Sequence, residues 1–196
     1  MDKKLSVVEV VKEGIGIGMV NMVPILVNTL LWILTIWIPY LNIGTTIGMV
    51  VGIVTKASKG ESISMTEIFN PQYRKYMGEF FLTSGFVSMG VGAALVFLII
   101  PGIVLAIAWS LALLLAVDKE KNPMEAISLS NKITYGNKWA IFLSEFVVLL
   151  GAGILSSVFS RIPGIGGLLV LAVMIVAIFA GIGIRAYIYK TLTANV

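Results

Sequence analysis

Few side chains in this sequence could do chemistry inside an apolar run. They are Glu145, Arg185, Asn21 and Asn28. A carboxylate held in hydrocarbon is costly, and it marks a functional site unless a partner neutralises it. Two roles suit Glu145. Paired with Arg185, which falls near the same membrane side at the end of the last apolar run, it is structural. Unpaired, it is an acid able to serve an ion or substrate route, with Asn21 and Asn28 as further polar lining. A protonated Glu145 bonded to Asn21 or Ser144 is a third arrangement. The pair with Arg185 is preferred. Asn21 and Asn28 are expected to hydrogen-bond between helices.

The missing residue types exclude a good deal. The chain has no His and no Cys. Disulfides, thiol chemistry, His general bases and His- or Cys-ligated metals are ruled out. One Glu with scattered Ser and Asn does not make a catalytic constellation, so no enzyme, cofactor or metal site is expected. The run Gly14-Ile15-Gly16-Ile17-Gly18 lacks the strand and the third spaced glycine of a dinucleotide site. Asp118, at the end of an apolar run, is expected to cap or pair locally.

These residues must be positioned by helices in lipid. The 196 residues are 58% hydrophobic and 12% charged, with mean hydropathy +1.00. Soluble domains are about 45–50% apolar and about 25% charged. The runs 14–55 and 80–117 hold 42 and 38 residues without a charge. Each is two spans long, since one span takes roughly 20 residues. Continuous rather than alternating apolar character favours helices over a β-barrel. The N-terminal residues mix Asp2, Glu9 and Glu13 with Lys3, Lys4 and Lys12, which does not read as a cleavable signal peptide.

Three Ile-Pro turns divide the runs: Ile38-Pro39-Tyr40, Ile100-Pro101-Gly102 and Ile162-Pro163-Gly164. Their prolines are spaced 62 residues apart. The fold class read from this is all-α, a polytopic membrane protein. It forms a single domain of six transmembrane helices, near 16–37, 41–55, 78–100, 102–117, 139–159 and 164–184. The helices pair as three repeated hairpins, about 1–60, 61–122 and 123–196, each with a short interfacial helix. Pro24 is expected to bend the first span. Gly44, Gly48 and Gly52 put a small-residue stripe on one face of the second, a doubled GxxxG read as packing inside the bundle rather than self-association. Ser64-Met65-Thr66-Glu67 resembles a helix start capped by Glu67. Pro123 suits the first turn of a short helix ending at Gly136.

Of the 14 Lys and Arg, only Arg161 lies at an Ile-Pro turn; the others lie in the N-terminal segment, the two connections or the tail. This asymmetry places both termini and the connections on the cytoplasmic side of the cell membrane. It also explains the net charge of +4 without a nucleic-acid partner. Membrane lipids are the expected partners, together with a second copy or another protein.

The segments GESISMTEIF and IIPGIVLAIAWSLALLLAVDKEKNPMEAISLSNKITYGNKWAIF carry a resemblance. The chain from about 60 to 142 resembles a group of small prokaryotic multi-span membrane proteins. That group is related to the membrane domain fused to some glycerophosphodiester phosphodiesterases. The shared pattern is Ile100-Pro101-Gly102, Trp109-Ser110, Asp118, Ala126-Ile127 with Ser130, and Gly136 with Trp139. The resemblance implies a bundle of about six spans and no particular activity. The functional expectation is therefore transport or lipid handling, set against a non-catalytic scaffold or regulatory module that binds a partner protein or anionic lipids.

Overall fold

In the computed structural model, which describes residues 4–196, proline and glycine decide where helices stop. Asp2 and Lys3 of the N-terminal segment lie outside the described residues. The first helix, α1 (Val7–Val20), meets α2 (Met22–Thr35) at a bend of 74°. Pro24 explains the position of the bend. It has no N–H for the Val20 carbonyl, and its ring crowds that carbonyl, so α1 ends one turn upstream. The Asn21 side chain closes the end by donating to the Ile17 carbonyl at 2.9 Å.

The remaining elements follow in order. Helix α3 (Pro39–Ile47) continues through a wide π turn (Gly48–Gly52) into α4 (Ile53–Lys59). Gly60 ends α4 in the left-handed region, at φ 69°. Two 3₁₀ turns (Glu67–Phe69 and Pro71–Tyr76) lead into α5 (Met77–Phe97). Then come α6 (Ile99–Ala108), α7 (Ala112–Asp118), α8 (Pro123–Thr134), α9 (Lys138–Phe159) and α10 (Gly166–Leu192). No strand occurs among the described residues.

Five helical stretches are long and apolar enough to cross a membrane, and six if the bent α1–α2 pair counts as one. This is the build of a multi-pass membrane protein. The three Ile-Pro turns differ in detail. Pro39 opens α3, after Ile38 in an extended conformation. Pro101 falls within the first turn of α6, and the break itself is at the extended Leu98. Pro163 precedes α10, and Gly164 makes the turn at φ 82°. A proline in a first helical turn costs no hydrogen bond, so the break settles just ahead of it.

Two expectations are corrected. Among the described residues, the N-terminal helix does not end before Gly14. Helix α1 runs on through Gly14 to Val20 and packs on α10, backbone against backbone. A Cβ on Gly183 would stand 1.9 Å from the Gly14 carbonyl oxygen, and one on Gly18 would stand 2.1 Å from that of Phe179. Nothing larger than glycine fits this crossing. The second correction concerns the Gly44, Gly48 and Gly52 stripe. It receives the connection rather than another helix. Built Cβ atoms would lie 2.8 Å from Ile68 Cα at Gly48 and 2.3 Å from the Tyr73 ring at Gly52.

Helix α8 docks where the fourth span breaks, between α6 and α7. The buried Ser130 hydroxyl donates to the Ala108 carbonyl at 2.8 Å and accepts from the Leu111 N–H at 3.2 Å. It thereby takes up backbone groups that the break releases. Asn122 caps α8, its Oδ1 accepting from the Glu125 N–H at 2.9 Å. The polar turns and connections sit over a core formed by α4, α7, α8 and the C-terminal half of α10. Away from that core, α5, α9 and α10 show exposed apolar side chains such as Val96, Phe97, Leu149 and Leu168.

Candidate functional site

The α9–α10 hairpin brings Glu145 and Arg185 together. Arg185 Nε lies 3.5 Å from Glu145 Oε1, with side chains 63% and 38% exposed. The pair stands at the edge of a cavity of about 340 Å³ walled by Val50, Val54, Val148, Leu149, Ile178 and Ile182. A larger groove, about 490 Å³ and almost wholly apolar, runs between α1, α9 and α10. Val148 and Ala177 line both. The two spaces therefore border the α9–α10 seam from either side.

The other candidates are placed elsewhere. Asn21 is spent on the bend between α1 and α2. Ser144 donates to the Ala140 carbonyl at 2.6 Å. Neither bonds to Glu145. Asn28 is fully buried and acts as a clamp. Its Nδ2 donates to the Pro24 and Ser64 carbonyls, each at 2.8 Å, and its Oδ1 accepts from the Ile68 N–H at 3.0 Å. It fastens α2 to the 64–68 connection, so the carboxamide does bond between elements, but to a turn rather than a helix. Asn21, Asn28 and Glu145 do not line a common route.

A second polar cluster, unforeseen in the sequence, holds the connections to the bundle. Glu67 is buried. It pairs with Lys56 at 2.8 Å and accepts from the Tyr73 hydroxyl at 2.7 Å and the Ser64 N–H at 3.4 Å. Burial alone would raise its pKa; the Lys56 and Tyr73 hydrogen bonds, the Lys56 charge and the Ser64 N–H outweigh it and hold the carboxyl below the usual value. Asp118 pairs with Lys59 and accepts from the Tyr189 hydroxyl at 2.7 Å. Tyr76 donates to Glu120. The sequence signals for this cluster were Glu67 three residues after Ser64 and Asp118, expected to cap or pair locally; its partners Lys59 and Tyr189 instead lie 59 and 71 residues away.

Compared with protein-family models, with curated proteins and with solved structures, the chain matches none.

Proposed function

We propose that this protein holds a membrane lipid or similar amphiphile at the α9–α10 seam and moves or presents it in the bilayer. One observation carries the reading. The Glu145–Arg185 pair is not closed inside the bundle; it is partly exposed beside an apolar cavity. A charged group above an apolar slot matches an amphiphile. A hydrated ion path fits less well, because three threonine hydroxyls of the first two spans are spent on their own helices. Thr29 donates to Ile25, Thr35 to Leu31 and Thr55 to Val51.

The connections and termini are read as cytoplasmic in the cell membrane, on the Lys and Arg distribution. A single cysteine at Gly102 should react with an impermeant reagent in intact cells and one at Thr66 should not; the reverse result overturns this orientation. The three-hairpin repeat and the likeness to the phosphodiesterase-linked membrane domain belong to the same reading. So does a non-enzymatic role.

A second reading is a non-transporting scaffold that docks a partner protein or a second copy. The tying of the two connections to each other, through Lys59 with Asp118 and Tyr76 with Glu120, favours it by fixing one rigid polar face. The test is phospholipid retained through purification, quantified by mass spectrometry. The lipid reading predicts bound phospholipid that falls severalfold in both Glu145→Gln and Arg185→Gln. Equal retention in all three proteins, with co-purification of one partner, supports the scaffold instead.

A further inference from the structure

The pair at the seam is only half used. Arg185 meets Glu145 through Nε, at 3.5 Å from Oε1. That is well beyond the roughly 2.7–2.9 Å of a good charge-assisted bond. Among the described residues, the two terminal amino groups of the guanidinium and the second carboxylate oxygen make no hydrogen bond. A guanidinium fork left open in this way matches the oxygens of a phosphate. The carboxylate accepts hydrogen bonds only and repels a phosphate, so a phosphate is tolerated here if it brings its own N–H-bearing cation.

Depth points the same way. Arg185 lies nineteen residues beyond Gly166, about 28 Å along a helix rising 1.5 Å per residue. The hydrocarbon core of a bilayer is about 30 Å thick. With the Gly166 end at one boundary, Arg185 reaches the other, where lipid phosphates lie. The apolar space runs inward from that level. One cavity lies on the α4 side of the seam and the other on the α1 side, with Val148 and Ala177 as their common wall. Two spaces on either side of one seam suit two acyl chains.

We propose that Arg185 and Glu145 form the headgroup site for a two-chain phospholipid with a primary ammonium, such as phosphatidylethanolamine. The phosphate takes the free amino groups of Arg185, and the ammonium takes the free oxygen of Glu145. The four charges then alternate around a ring. A choline headgroup has no N–H to give Glu145, and a glycerol headgroup leaves its charge uncompensated. This inference rests on the lipid-handling reading above.

The test uses the full chain in phosphatidylcholine vesicles. Each preparation holds the same trace of a phospholipid with a photoactivatable acyl chain, bearing an ethanolamine, choline or glycerol headgroup. Cross-linked peptides are read by mass spectrometry. The ethanolamine probe should label Val148, Leu149, Ala177 or Ile178 severalfold more than the other two. Glu145→Gln should remove that preference, lowering labelling by the ethanolamine probe severalfold to the level of the other two. Arg185→Gln should lower labelling by all three. Equal labelling of the seam by the three probes on the unaltered protein, which needs no variant to fold, overturns the headgroup assignment and leaves lipid handling standing. Labelling of the seam no stronger than at Val96 and Phe97 overturns both.

Discussion

The guanidinium carbon of Arg74 lies 4.9 Å above the centre of the Tyr40 ring. Tyr40 belongs to the first Ile-Pro turn and Arg74 to the connection between the second and third spans. The connection does not stay over the ends of α4 and α5. It passes down the glycine face of α3, with Tyr73 filling the space beside Gly48 and Gly52 and Arg74 lying against Gly44. The cation–π contact adds about 0.5–1 kcal/mol at a partly exposed site. The chain has no Cys, so Tyr40→Cys with Arg74→Cys gives a clean pair for a short bifunctional thiol reagent. The two should cross-link within one chain in native membranes. Failure to cross-link, with both positions reactive singly, would show that the connection lies away from the turn.

The α1–α10 crossing gives a sharper stability prediction. Gly183→Ala would drive its Cβ into the Gly14 carbonyl, and backbone cannot yield as a side-chain end can. Overpacking of this kind costs about 1–3 kcal/mol. Gly16, two residues from either crossing glycine of α1, has open space around it. Gly183→Ala should therefore lower the thermal midpoint of the detergent-solubilised protein clearly, and Gly16→Ala should not. Equal effects would mean that α1 does not lie on α10 as described.

Glu67 sets the pH dependence. Its carboxyl is held below the usual value in the folded protein, by Lys56, Tyr73 and Ser64 against the effect of burial. The unfolded chain then binds the proton more readily. The stabilisation from Glu67 is complete above its unfolded pKa, about 4.3. It is lost as the pH falls through the lower folded value. Unfolding in detergent should become easier on acidification below about pH 4.3, and Glu67→Gln should flatten that part of the profile while lowering stability at neutral pH. An unchanged acid limb in the variant would remove Glu67 as its source.

Much of the architecture was legible because lipid imposes a coarse rule. Uncharged runs of 42 and 38 residues are too long for one span, and proline cannot continue a helix, so apolar length and Ile-Pro turns locate the helices closely. The pairing of Glu145 with Arg185 was legible because two opposite charges near the same end of the last two apolar runs have few alternatives. The helix partners were not. Gly48 and Gly52 announce a close approach without saying that Ile68 and Tyr73 make it. Gly14 and Gly18 gave no sign of Gly183, because side chains on a lipid-bathed helix are apolar on the packed and unpacked sides alike. Asn28 was expected to bond between helices; its clamp on the Ser64 and Ile68 backbone requires knowing that the connection turns inward.

The central claim is that Glu145 and Arg185 act on a lipid at the seam. It is tested most directly by flux in liposomes holding the purified protein, run in parallel with ions and with fluorescent phospholipids. Lipid movement above that of empty liposomes, reduced at least severalfold by Glu145→Gln and without matching ion flux, is the predicted result. Ion flux that depends on Glu145, or no movement of either kind from protein that is folded and inserted, would contradict it.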